Sequence, residues 1–104
     1  MGGAARVAGM TDVATSNNPE ASRYEARIDG ELAGYAEYLL RDDQVVFTHT
    51  VVADAFEGRG VGSKLVRAAL DDVRGTGGRS VVPQCPFVRD WIEKHPDYRS
   101  LVAA

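Results

Sequence analysis

An α+β fold, in which an antiparallel meander joins one strand–helix–strand unit, is predicted by three features of the chain. Apolar and polar residues alternate from Arg23 to Leu40, interrupted by polar turns. The run VVFTHTVV at 45–52 holds six Val or Thr in eight positions. Directly after three glycines in the five residues 58–62, the apolar spacing changes from two to about four. The expected element order is β-β-β-α-β-α.

Residues 1–21 are small and polar with no period, and are expected to form a disordered tail, leaving 22–104 as a single domain. From Arg23, residues Tyr24, Ala26 and Ile28 fall on one face, and Arg23, Glu25 and Arg27 on the other. Asp29-Gly30 then signals a hairpin. Leu32, Ala36, Tyr38 and Leu40 continue one row to the polar turn 41–44, and the Val/Thr run that follows predicts a central strand covered on both faces. Val61, Leu65, Ala69 and Val73 predict a helix over 60–74, with Lys64, Arg67, Asp71 and Arg74 solvated and Gly75, Gly77 and Gly78 ending it. Ser80-Val81-Val82 is a short strand. Pro86 opens a last helix with Val88, Trp91 and Ile92 inward, which His95-Pro96 ends. A crossover from 45 to 82 makes its two strands parallel.

The composition of the 104 residues is that of a globular protein, 44% apolar and 26% charged. A net charge of −3 and no Lys/Arg block argue against direct nucleic-acid binding. No run approaches the roughly 18 apolar residues of a membrane span, and the start MGGAARVAGM lacks a signal-peptide core. Arg6 occupies the position where myristoylation wants Ser or Thr. A cytoplasmic protein is expected, as a monomer, with an exposed edge strand leaving dimerisation open. One cysteine and two histidines offer neither a disulfide nor a spaced metal-ligand set.

Ligands of such sheets bind at the carboxyl ends of the parallel strands, where the glycine loop lies. Its bare backbone and the following helix N-terminus suit a phosphate or pyrophosphate. The loop does not follow the P-loop pattern, because Ser63-Lys64 reverses the order required. Nor does it follow the dinucleotide fingerprint, whose sixth position counted from Gly58 is Ser63 rather than Gly.

The segment VADAFEGRGVGSKL resembles the pyrophosphate loop of the GNAT superfamily of acetyl-CoA-dependent N-acetyltransferases. That family's pattern is Gln or Arg, two residues, Gly, one residue, then Gly or Ala. Gly60 and Gly62 fit it, and Glu57 replaces its first residue. The likeness sharpens to a short, stand-alone branch through His49-Thr50, Cys85-Pro86-Phe87-Val88, His95-Pro96 and Tyr98. The resemblance implies a minimal GNAT-like acyl-CoA N-acyltransferase fold and bound acetyl-CoA. The pyrophosphate would sit on the amides of Gly58, Arg59, Gly60, Val61, Gly62 and Ser63, and the pantetheine along the backbone near Val51 and Val52. Arg59 and Lys64 flank the loop as further phosphate contacts or as solvated cations.

Cys85 stands before Pro86 at a helix N-terminus, whose dipole favours a thiolate. An acyl-accepting nucleophile and an inert core thiol both remain open. His49 alternates with Val45, Phe47 and Val51 and is therefore expected on an apolar face, either as a general base or as a hydrogen-bonded core residue. The pattern lets His49 and Cys85 converge. Trp91 and Phe87 read as core rather than ligand stack, and Tyr98 is left outside the site. The expected activity is acetyl transfer to an amine, directly or through Cys85. The alternatives are a CoA-binding module without turnover and a structural or partner-binding domain with no nucleotide.

Overall fold

The computed structural model describes residues 12–103. Its sheet has five strands in sequence order: β1 (Ala14–Asn18), β2 (Arg23–Ile28), β3 (Glu31–Arg41), β4 (Gln44–Val52) and β5 (Ser80–Pro83). Neighbours are antiparallel except β4 and β5, which are parallel. Helix α1 (Val61–Thr76) joins those two, and α2 (Pro86–Glu93) follows β5.

Strand β1 corrects the expectation of a tail through residue 21. Four of its five residues are exposed, so it carries no apolar alternation to read. Backbone pairing with β2 holds it, as do the Tyr38 hydroxyl donating to Asn17 Oδ1 at 2.7 Å and Asn18 Nδ2 donating to Glu25 at 3.0 Å. The remainder of the expected tail, residues 1–11, lies outside the described residues.

The hairpin between β2 and β3 turns on Asp29 and Gly30, both at positive φ (52° and 82°), the backbone an Asp-Gly pair readily adopts. Tyr24, Ala26, Ala36, Tyr38 and Phe47 form the buried face. α1 lies against it through Val61, Leu65, Val66, Ala69, Leu70 and Val73, and the Tyr24 hydroxyl donates to Asp72 on α1 at 2.8 Å. α1 begins after Gly60 and runs two residues past its expected end, stopping at Gly77, whose φ is 72°. α2 packs beside α1 and on β4 and β5. Leu40 continues the inner row of β3 but is exposed at the hairpin end.

The pairing of β3 with β4 changes register once. Tyr38 opposes Phe47 while Glu37 opposes His49, leaving Thr48 without a partner. Such a bulge inverts the alternation of faces beyond it. Thr50, opposite buried Ala36, therefore points to the helix side, while His49 and Val51 emerge on the other face.

On that other face Glu25 is buried among hydrogen bonds. Asn18, Arg23 and Arg27 all donate to it, at 3.0, 2.8 and 3.1 Å, and together they hold its carboxyl down to about 2 against the opposing effect of burial. A carboxylate whose proton affinity falls on folding stabilises the fold above its unfolded range. That contribution disappears as pH drops from about 4.5 towards 2. The thermal midpoint of Glu25→Gln is expected to lie below wild type at neutral pH and to change less steeply through this acid window. Parallel curves for the two proteins would contradict the assignment.

Candidate functional site

β4 and β5 pair from Gln44–Ser80 to Phe47–Pro83. The last link is the Cys85 N–H, which donates to the Phe47 carbonyl at 2.9 Å. Beyond it the two chains part, and residues 48–52 keep only β3 as a neighbour. The Ala53 N–H donates to Ala33 of β3 at 2.8 Å. By the alternation of an antiparallel ladder, the backbone groups of Thr50 and Val52 then face the gap.

From the open end of β4 the chain makes a short 3-10 turn, Asp54–Phe56, anchored by the buried Phe56 ring, and enters α1 through the glycine loop. Gly58 and Gly60 have φ of 84° and 74°, and a Cβ on either would meet no atom within 4 Å, so bare backbone borders open space. Gly60 caps α1 without a side chain, and the Lys64 N–H is the first to return to it, at 3.1 Å. The amides of Val61, Gly62 and Ser63 have no acceptor within the helix, and the positive end of the helix dipole adds to them. Such a cradle fits a diphosphate. Gly62 lies under the Phe87 ring, where a Cβ would come within 2.8 Å, and so brings the start of α2 against that of α1. Arg59 sits over the Phe56 ring at 5.5 Å. Ser63 Oγ accepts the Trp91 indole N–H at 2.9 Å.

Cys85 is buried, 5% exposed, as the residue capping α2, and its Sγ lies 3.4 Å from Thr50 Oγ1. His49 corrects the expectation of an apolar face. Its side chain is 73% exposed, with Nδ1 3.6 Å from Glu37 Oε1. The expected convergence of His49 on Cys85 is replaced by that of Thr50, because the bulge at Thr48 exchanges the faces of 49 and 50. Thr50 thus takes the position beside Cys85 that alternation gives to His49, and a bulge leaves no local sequence signal. Tyr98 belongs to a separate cluster. Its hydroxyl donates to Asp71 at 2.8 Å, a bond that together with burial raises its pKa, and it accepts from Arg67 at 3.3 Å.

Among the described residues no group of three or more His, Cys, Asp or Glu is placed to hold a metal ion, and no helix is long and apolar enough to cross a membrane.

The sequence profile of the GCN5-related N-acetyltransferases matches residues 23–101. No curated protein sequence matches the chain. A solution structure of a GCN5-like protein from Staphylococcus aureus is similar in fold at TM-score 0.64 and 20% identity, covering 89% of this chain and 88% of that one. A Brucella melitensis GNAT-family acetyltransferase in complex with acetyl-CoA gives 0.53 and 23%, covering 70% of this chain and 54% of that one. The Escherichia coli ribosomal-protein-S18-alanine N-acetyltransferase gives 0.53 and 17%, covering 57% and 38% respectively. The match thus spans about half or less of the last two proteins. At these identities the likeness is one of fold.

Gly34, opposite Val52 where β4 borders the gap, tests how tightly β3 holds that edge. A Cβ there would lie 2.7 Å from the Val51 carbonyl oxygen, a backbone atom that cannot swing aside. Gly34→Ala is expected to lose about 1–3 kcal/mol in chemical denaturation. Gly75→Ala, which would meet nothing within 4 Å on α1, should gain about 0.5–1 kcal/mol. Equal effects would mean that the edge is loosely held.

Proposed function

Because the chain belongs to the GCN5-related N-acetyltransferase family, we propose that it transfers acetyl from acetyl-CoA to an amine in the gap between β4 and β5. The observation carrying this reading is the coincidence, at one end of the sheet, of the parted strands and the bare helix N-terminus at Gly58–Ser63. The amides of Val61, Gly62 and Ser63 receive the pyrophosphate, with Gly58, Arg59 and Gly60 at its edge and Lys64 adding charge. The gap-facing backbone of Thr50 and Val52 pairs with the pantetheine in place of the missing strand, whereas that of Val51, expected to share this role, is turned to β3. Bound there, acetyl-CoA supplies an acetyl group activated as a thioester.

Two routes differ in the part Cys85 plays. In the direct route an amine nitrogen bonds to the acetyl carbon as the bond to the CoA sulfur breaks, and gap-facing N–H groups of β4 meet the charge that develops on the acetyl oxygen. In the relayed route Cys85 Sγ takes the acetyl group first, its proton passing to the departing CoA thiolate, and the amine then displaces the cysteine sulfur. Thr50 favours the second route, since its hydroxyl can donate to a thiolate on Cys85. His49, on the open face beside Glu37, takes the proton that the ammonium must lose. A CoA-binding module without turnover is the second reading, motivated by the small size of the domain.

Calorimetric titration with acetyl-CoA is expected to show one saturable site that is lost in Gly60→Glu, a variant whose fold is checked by circular dichroism. No binding to folded wild type would remove the reading. In the relayed route, mass spectrometry after mixing with acetyl-CoA shows one acetyl group on wild type and none on Cys85→Ala. Full transfer by Cys85→Ala would assign the direct route. His49→Gln should slow transfer about a hundredfold or more and abolish the acidic limb of its pH profile; an unchanged profile would place the base elsewhere.

A further inference from the structure

We propose that Trp91 is a positioning residue for the pyrophosphate site, setting the Ser63 hydroxyl as a side-chain donor to the cofactor. The inference rests on the acetyl-CoA reading above and adds to it a residue on α2.

An indole N–H can only donate. At 2.9 Å from Trp91 Nε1, Ser63 Oγ is therefore the acceptor. Its own hydrogen must then point away from the indole, and an oxygen that accepts one hydrogen bond donates a stronger one. Ser63 is the third residue of α1 and is exposed, on the same turn as the amides of Val61, Gly62 and Ser63 that have no acceptor within the helix. A free serine at this position would rotate its hydroxyl or turn it back onto the preceding turn of chain. The bond from Trp91 takes one of the three staggered positions and leaves the hydrogen the two that face away from the indole.

The indole is itself held on several sides. The His95 ring stacks on it at 3.8 Å with an interplanar angle of 13°, and His95 Nδ1 lies 2.7 Å from the Trp91 carbonyl oxygen, tying the stack to the end of α2. Tyr98 meets the indole edge-on at 4.9 Å and is fixed by its own bond to Asp71. The Arg67 guanidinium lies 5.3 Å from the ring centre. This arrangement gives the His-Pro and Tyr elements of the sequence, which touch neither Cys85 nor the loop directly, a part in the site: they hold the tryptophan that holds the serine.

The test is a double-mutant cycle read by calorimetry with CoA as the probe, using wild type, Trp91→Phe, Ser63→Ala and the double variant. Trp91→Phe keeps a ring in place but removes the N–H. Each single change should weaken CoA binding about tenfold, the loss of one hydrogen bond to a charged group, and the double variant should be no weaker than either. Ser63→Thr should retain wild-type affinity. Additive losses, or Trp91→Phe binding CoA like wild type, would reduce Trp91 to a packing residue while leaving the cofactor site standing. Wild type failing to bind CoA would overturn both. Trp91 is the only tryptophan of the chain, so a second readout survives if Trp91→Phe does not fold. Ser63→Ala should shift the indole emission without CoA, keep the native circular dichroism and lose the same tenfold in affinity; unchanged emission and affinity would refute the proposal.

Discussion

The bulge at Thr48 is the constraint on which the rest of the site depends. Up to Phe47, β4 is an ordinary central strand, paired with β3 on one side and β5 on the other, with Phe47 buried against Tyr24 and Tyr38. One unpaired residue later the alternation has inverted and β5 has turned away. A central strand directs one row of backbone groups to each neighbour, and here the row that faced β5 is left unmatched, a state that is stable where solvent or a ligand supplies the partners. The same residue that inverts the faces thus stands where pairing to β5 ends. Thr48 also ties itself to the opposite strand, its hydroxyl donating to the Glu37 carbonyl at 3.3 Å.

Two ends of secondary structure meet this unmatched edge. α1 starts from Gly60 with its first amides free, and α2 starts from Cys85, which closes the last link between β4 and β5 with its N–H while its thiol faces Thr50. Packing brings the two together: Gly62 has no side chain, the Phe87 ring fills that space, and Trp91 reaches Ser63. The chain therefore places its positive backbone ends around a single opening although its net charge is −3. Local dipoles and unpaired amides, rather than overall charge, suit this opening to an anion.

Much of this was legible in the sequence because it rests on local rules. The Asp-Gly turn, the Val/Thr run of β4, the stripe of α1 and Pro86 at the start of α2 each mark their element by a local rule, and the observed elements follow them closely. The row from Leu32 to Leu40, in contrast, fails at both ends: Ala33 rather than Leu32 is fully buried, next to a register shift against β2, and Leu40 is exposed. The glycine loop was equally visible, since positive φ at Gly58 and Gly60 needs glycine. Other features escaped for reasons of the same physical kind. β1 is an edge strand held by backbone and polar side chains, so hydrophobic periodicity cannot mark it. His49 and Thr50 exchanged sides because faces are counted by parity, and one unpaired residue flips every assignment after it. The Trp91–Ser63 bond spans 28 positions between two helices, and each residue taken alone looks ordinary, a core tryptophan and a surface serine.

Seen whole, the chain is a short sheet opened at one strand pair, with two helix starts facing the opening. The functional proposal turns on CoA occupying this opening and replacing the missing strand. An amide-resolved NMR titration with CoA tests it most directly. The account predicts perturbed amides at 50–52, at Gly58–Ser63 and at Cys85, with β1 and β2 unaffected. Saturable shifts confined to β1, β2 or the exposed face of the sheet, with the glycine loop silent, would contradict it.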